Sequence, residues 1–441
     1  MEAEDIKQPV TIVIFGVSGD LSRRYLLPAL SQIAQAGRLP KGYRIVGITR
    51  RDISKETVLK DCHNLTPNFE IFKMDLDRAD DYGKLKDRLG DGGQIIFHFA
   101  IPPDSSPKVI KHLGEAGLNG RNVKLLIEKP FGFDLGSAKE VIASTAEYFS
   151  QDQVYRIDHY LAKEMAQNIT VFLSSNTLFR SVWNNRFIDK IEIIATEKIG
   201  IEGRNDFYEQ TGALRDFVQS HLLQLAALTL MEACPDPFDF GDLSQRRLAA
   251  LKMLAPVDAS TDVYRAQYEG YRQEVGNSDS SVETFVELTL HSTASRWEGV
   301  PIRLVTGKNL IEKKTAICVH FKKSHTAEAN LLMLHVQPNE GIEIDVWAKE
   351  PGYEYKIKKQ KLQFSYGQDY GRLPDAYEQV LVEAMAGNHS LFAADQEILE
   401  SWRILQPVLD QWAKGSDDLG AYRPGSSLEQ VLGGVEKEWT S

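Results

Sequence analysis

In RIDHYLAKE, residues 156–164, Asp158, His159 and Tyr160 are adjacent and Lys163 lies four residues past the histidine. An acid, an imidazole, a phenol and an ammonium are the groups used for proton transfer and for holding anions. On a helix, positions i and i+4 share a face, so the spacing predicts that His159 and Lys163 converge on one anion while Asp158 points elsewhere. The plainer alternative is a polar helix start, with Asp158 as N-cap and Lys163 in solvent. A second set lies in GIEGRNDFYEQTGALRDFVQSHLLQ, residues 200–224, which offers Glu202, Asp216 and His221. His221 follows Asp216 by five residues, which on an α-helix puts the two on different faces, so they need not be partners. A histidine ahead of LLQL is also an ordinary core residue.

A third set could hold a cofactor. IFGVSGDLS places Gly16 and Gly19 between an apolar strand and a helical segment. There, backbone amides at a helix N-terminus receive a dinucleotide pyrophosphate, or else simply close a tight turn. The third position of the pattern is Ser22, small but not glycine. The next strand, YRIVGIT, ends in Thr49, Arg50 and Arg51, where an NAD-binding chain would carry an acid. Two guanidiniums suit a 2'-phosphate and predict NADP; Asp52 leaves some affinity for NAD, and a solvated basic turn is the alternative. IEKPFG follows another buried strand, so Lys129 and Pro130 emerge at the carboxyl end of the sheet, where doubly wound folds bind ligands. A lysine there can meet both the nicotinamide side and a sugar hydroxyl, or reach into water.

These residues need two kinds of scaffold. VTIVIF (10–15), YRIVGIT, IIFHFAI (95–101) and VKLLIEKP (123–130) read as buried strands. Helical patterns lie between them, one with Pro28 bending or shifting it and another over 106–117. The alternation predicts an N-terminal Rossmann-like α/β domain, residues 1–155, with a doubly wound parallel sheet. Beyond it, helix-rich stretches at 158–180 and 210–232 precede VETFVELTLHS, IRLVTG, TAICVHF, LLMLHVQP and IEIDVWAKE. Successive strands without helices between them predict a larger α+β domain, residues 156–441, on a mostly antiparallel sheet. Helices or a second subunit must cover its open face. Residues 375–412 read as helical again.

Composition sets outer limits. The 441 residues are 42% hydrophobic and 26% charged, enough for two cores. A net charge of −11 argues against a general nucleic-acid or membrane surface. Cys62, Cys234 and Cys318 show no metal-ligand spacing and read as buried thiols. MEAEDIKQ does not resemble an export signal, and LLQLAALTLM (222–231) is too short to span a bilayer. These features lead us to expect a soluble cytoplasmic protein.

Taken in order, the segments resemble the glucose-6-phosphate dehydrogenase family. GVSGDLSRRYLLPAL resembles its cofactor turn and first helix, FAIPP and IEKPFG its cofactor-contact segments, and RIDHYLAKEMAQNI its signature. IEGR, LRDFVQSHLLQ, VPIRLVTGKNLIEKK and VQPNE follow in the family's order, so the likeness runs from about residue 10 to 412. It implies an NADP-dependent enzyme that oxidises glucose 6-phosphate at C1, without a metal, as a homodimer or homotetramer. Asp158 and His221 would form the acid and base pair, with Lys129 beside them. His159, Tyr160, Lys163 and Lys313 would hold the phosphate; Glu202, Asp216, Lys129, Lys308 and Gln337 would meet the sugar. Cofactor contacts would come from Gly16, Ser18, Gly19, Asp20, Leu21, Arg50, Arg51, Ala100, Pro102, Glu128 and Lys129. Several positions depart from the family pattern. Val305 stands where an arginine is usual, Asp104 and Ser105 follow the PP where an aromatic is common, and the first domain looks shortened over 63–77. His335 replaces an arginine of a second, structural NADP site, which is therefore not expected. Rival readings are another sugar dehydrogenase with Glu-Lys-Pro and a non-catalytic NADP sensor.

Overall fold

The computed structural model describes residues 8–90, 92–236, 241–323, 328–415 and 418–433. The acidic start read above, residues 1–7, lies outside them. The chain forms two compact units, the first made of Met1–Gly132, Gly136–Ala162 and Pro374–Ile398. Packing therefore divides the chain at Ala162/Lys163 rather than 155/156, and a late segment returns to the first unit.

The first unit is a seven-stranded sheet. Its strands are β1 (Val10–Phe15), β2 (Arg44–Thr49), β3 (Phe69–Lys73), β4 (Gln94–Phe99), β5 (Val123–Ile127) and β6 (Val154–Ile157). They run parallel in the order β6-β5-β4-β1-β2-β3, that of a doubly wound dinucleotide fold. A two-residue strand, Phe392–Ala393, pairs antiparallel with β6 at the edge. All six residues of β1 are buried, as a strand covered on both faces requires. β3 escaped the sequence reading because its pattern is only half-buried and it sits at the sheet's edge. VKLLI is thus the fifth strand. Pro28 shifts its helix as expected: it offers no N–H to the carbonyl four residues earlier, and Ser22–Leu26 winds as a π-helix before the α-helix Leu27–Gln35.

The second unit, Phe133–Leu135, Lys163–Leu373 and Leu399–Ser441, is built on a nine-stranded sheet. Its strands are β7 (Ile188–Thr196), β8 (Val263–Tyr268), β9 (Phe285–Leu290), β10 (Ile302–Gly307), β11 (Lys314–Phe321), β12 (Leu331–Gln337), β13 (Gly341–Lys349), β14 (Ile357–Ser365) and a last strand, Leu419–Tyr422. The order is β14-β13-β12-β11-β7-β10-β9-β8 and then Leu419–Tyr422. Most pairs are antiparallel, but β7 runs parallel to β10, and β8 to Leu419–Tyr422. Helix Glu164–Ser175 packs on β12, and the segment from Leu214 packs on β7 and β10. The helix expected from residue 158 starts only at Glu164, because residues 159–162 form a turn.

Candidate active site

In the first unit the turn after β1 is shaped for close backbone approach. Gly16 has φ +80, and a Cβ there would lie 2.3 Å from the Ala100 carbonyl oxygen. Only glycine fits both demands. Ser22 does what a third glycine does elsewhere by a different route: its buried hydroxyl donates to the Gly16 carbonyl at 3.0 Å and ties the helix to the turn. The Ser18 and Thr49 hydroxyls lie 3.2 Å apart, and the Arg51 amide donates to Thr49 Oγ1 at 3.1 Å, joining the turn to the end of β2.

A cavity of about 300 Å³ opens there. Gly16, Ser18, Gly19, Arg50, Arg51, Ala100 and Pro102, all read from sequence as cofactor contacts, line it. Asp20 and Leu21 do not; Asp20 instead pairs with Arg24 on the surface at 3.5 Å. Asp52, the residue that kept NAD open, is exposed and pairs with Lys73 at 3.6 Å. Met74, Asp75, Asp77 and Lys108 also line the cavity and were missed: the first three follow the unread β3, and Lys108 lies on the helix Ser106–Glu115, where no local pattern marks it as facing the turn. Lys108 pairs with Asp77 at 2.7 Å and holds that carboxyl below its usual range. A dinucleotide fits these residues: an open turn, a helix start and two guanidiniums at the end of β2.

Glu128 and Lys129 lie at the carboxyl end of β5, away from that cavity's lining. Burial pushes the Glu128 carboxyl up to about 8, against the pull of a Tyr377 hydrogen bond and of Lys129. His98 on β4 lies 3.5 Å from Glu128, and burial drives its imidazole down to about 3. Near neutral pH both are uncharged, the stable form for groups withdrawn from water without a full complement of partners. Tyr377 comes from the returning segment and stacks nearly parallel to His159, 10° between planes and 6.5 Å between centroids.

Asp158 is not a helix N-cap. It is buried just past β6, where Oδ1 accepts from the Tyr160 amide at 2.9 Å and its carbonyl accepts from Leu161 at 3.0 Å. This Asx-type turn fixes the carboxyl at the sheet's carboxyl end and sets the His159 ring 4.9 Å from that of Tyr160. The predicted helical face shared by His159 and Lys163 therefore does not exist. Asp158, His159 and Tyr160 belong to the first unit and Lys163 to the second, as the N-cap of helix Glu164–Ser175.

In the second unit His221 is buried at 1% exposure. Its helical segment is broken at Gly212 and then winds as a π-helix over Leu214–Leu222. With i→i+5 hydrogen bonds, a residue five positions on lies a little over one turn further, on the same side of the helix as its predecessor. Asp216 and His221 therefore share a face, reversing the expectation from α-helical spacing. Glu202 lies in the loop after β7 with φ +47, a conformation that costs energy for a side chain and concentrates at functional sites.

The register of the sheet gathers the remaining residues at one end. Gly307 and Lys314 both stand opposite Thr196, and Gln337 opposite Thr315. This brings Lys308, Lys313 and Gln337, which lie far apart in sequence, to one rim. Lys308 pairs with Glu197 at 2.5 Å and lies over the Tyr208 ring at 5.2 Å. Lys313 is exposed, and Gln337 donates to Thr315 Oγ1 at 3.0 Å. Glu340, missed from sequence, accepts from the Met165 amide at 2.6 Å; burial raises its carboxyl while Lys163 draws it down. Val305 is fully buried, in a core cluster with Ile194, Tyr208 and Phe285.

Residues 13–168 match the family model described as glucose-6-phosphate dehydrogenase, NAD binding domain, and 170–434 the one described as its C-terminal domain. A glucose-6-phosphate 1-dehydrogenase of Chlamydia muridarum is 34% identical, over 98% of this chain and 97% of that protein. A solved glucose-6-phosphate dehydrogenase in complex with its substrate glucose-6-phosphate superimposes with a TM-score of 0.89 and 30% identity, covering 100% of both chains. The crystal structure of glucose-6-phosphate 1-dehydrogenase from Mycobacterium avium gives 0.87 and 28%, covering 98% of both. The N-terminal part is accordingly a nicotinamide-dinucleotide-binding domain, and the chain as a whole belongs to the glucose-6-phosphate dehydrogenase family.

Proposed function

We propose that this protein oxidises D-glucose 6-phosphate at C1 to 6-phospho-D-glucono-1,5-lactone with NADP+, the entry to the oxidative pentose phosphate pathway. The observation that carries this is the end-to-end likeness to an enzyme solved with that substrate. NADP is favoured over NAD by Arg50 and Arg51 in the cavity lining, with no acid at the end of β2. The bound nicotinamide supplies the hydride acceptor; the chain must bind, orient and deprotonate the sugar.

His221 takes the C1 hydroxyl proton, and Asp158 fixes its tautomer and stabilises the imidazolium that forms. The burial of both groups supports this, since a dry site strengthens their attraction. Lys163, His159, Tyr160 and Lys313 hold the phosphate by charge-assisted bonds, far from the reacting carbon, which restricts the sugar to a near-attack pose. Glu202, Asp216, Lys308 and Gln337 meet the sugar hydroxyls, and Lys129 faces both sugar and cofactor. The first unit serves as the cofactor domain and the second as the substrate and assembly domain. Among the described residues no helix is long and apolar enough to cross a membrane. Assembly as a homodimer or homotetramer through the large sheet is supported by β14, which is almost wholly exposed, with Leu362 at 58% and Ile357 at 52%.

Purified protein given NADP+ and glucose 6-phosphate produces the absorbance of the reduced nicotinamide, and gives far less with unphosphorylated glucose. A folded protein without turnover rejects the reading. Equal rates with both sugars favour a sugar dehydrogenase of the wider two-domain type.

A further inference from the structure

The π-wound segment that carries Asp216 and His221 has an unusual beginning. At Gly212 the backbone leaves the helix with φ 60 and ψ −176, and winding resumes at the next residue. The first amides of the new segment have no acceptor within it. A residue far along the chain supplies them. The Ala213 amide donates to the Glu283 carbonyl at 3.0 Å, and the Leu214 amide donates to Glu283 Oε1 at 2.8 Å. Glu283 is 3% exposed. Gly212 makes room for its carboxylate, since a Cβ there would lie 2.4 Å from Oε1.

The neighbouring residue anchors this cap. Thr284 is fully buried; its amide donates to Ala266 at 2.9 Å and its carbonyl accepts from the Lys308 amide at 2.9 Å. The Tyr422 hydroxyl lies 2.9 Å from Thr284 Oγ1 and donates to the Lys308 carbonyl at 2.7 Å. Two adjacent residues thus grip the start of the His221 segment and the turn that bears Lys308.

We propose that Glu283 is a positioning residue for the oxidation: its side-chain oxygen sets where the π-wound segment begins, and so the facing of Asp216 and His221 relative to Lys308. The proposal rests on the functional reading above. A cap from the loop just before β9, far along the chain, suits this task, because a π-turn is strained and needs an external hold to persist. Burial raises the Glu283 carboxyl, while the Leu214 amide, Arg215 and Arg265 pull it back. The acceptor oxygen, present whether or not the group is ionised, is therefore the working feature.

The test uses the full chain with Glu283→Ala, Glu283→Gln and Glu283→Asp. Loss of the acceptor in Glu283→Ala lowers kcat by roughly ten- to a hundredfold, the scale of a small misplacement. The Michaelis constant for NADP+ stays near that of the wild type, and the acid limb of the kcat/KM profile moves. The Leu214 amide exchanges with deuterium faster, while that of Ala213 keeps its backbone acceptor. Glu283→Gln, which offers an oxygen at the same place, restores kcat and the profile. Wild-type kcat in Glu283→Ala overturns the proposal, as does Glu283→Gln impaired as severely as alanine. Where the alanine variant does not fold, Glu283→Asp withdraws the acceptor by one methylene; unchanged kcat in that variant overturns the proposal too. Should the wild type not turn over glucose 6-phosphate, the functional reading fails, while unchanged exchange at Leu214 separately removes the cap.

Discussion

Glu128 and His98 are neighbours whose protons burial displaces in opposite senses, and their linkage to stability has opposite signs. The Glu128 carboxyl is raised from its ordinary 4.5 to about 8, so the folded state binds the extra proton between those values. Stability from this group is full below about pH 4.5 and falls as pH rises towards 8, by up to about 1.4 kcal/mol per pH unit. Glu128→Gln should flatten that slope in urea unfolding midpoints measured across pH 5–8. His98, lowered from 6.5 to about 3, is protonated more readily unfolded, so its contribution is lost as pH falls below 6.5. Replacing it with glutamine should make the protein less sensitive to acid between pH 6 and 4. For the proposed chemistry the deciding residue is His221. His221→Asn should lower kcat a hundredfold or more, with a modest change in the Michaelis constant for sugar, on the usual scale for a general base. A kcat near wild type in stopped-flow turnover removes His221 from the mechanism.

Two short helical stretches, Ser22–Leu26 and Leu214–Leu222, are π-wound, and each bears on function. The first is forced by Pro28 and follows directly on the cofactor turn. The second puts Asp216 and His221, five residues apart, on one face. The end of β2 carries the proposed preference for NADP. Arg50→Ala combined with Arg51→Ala should raise the Michaelis constant for NADP+ at least about tenfold, as loss of charge-assisted phosphate contacts does, while that for NAD+ changes little. Parallel losses with both cofactors would show that the two guanidiniums do not read the 2'-phosphate.

For the molecule as a whole, the return of Pro374–Ile398 to the first unit is the main departure from a simple two-part reading. That segment delivers Tyr377 to Glu128 and an antiparallel strand to β6. The second unit ends its sheet in β14, whose Ile357, Leu362 and Phe364 are exposed. A bare sheet edge that exposes these apolar side chains among lysines and glutamines invites a partner. Sedimentation of the wild type should give a dimer or tetramer, and Leu362→Glu with Phe364→Glu should shift it towards monomer; a monomeric wild type ends that assignment.

Patterns written in local sequence were legible without coordinates. Continuous apolar runs gave β1, β2, β4 and β5, the Gly16–Gly19 turn lay where strand passes to helix, and Arg50 and Arg51 stood at the end of β2. The likeness to a known family added the site's membership. β3, β8 and β14 escaped because their exposure is mixed or they lie at an edge, and central β7 because Asp189, Lys190 and Glu192 interrupt its apolar run, so that only pairing with neighbours defines them as strands. The helix-rich stretch read from residue 158 begins only at Glu164, since Asp158 offers the Tyr160 amide a local acceptor that competes with helix formation. Tertiary structure alone decided the π-winding before His221, where a carboxylate 69 residues downstream supplies the acceptor. It also decided that Lys308, Lys313 and Gln337 share one rim, because register between strands is fixed by packing across the sheet and not by the residues of any one strand.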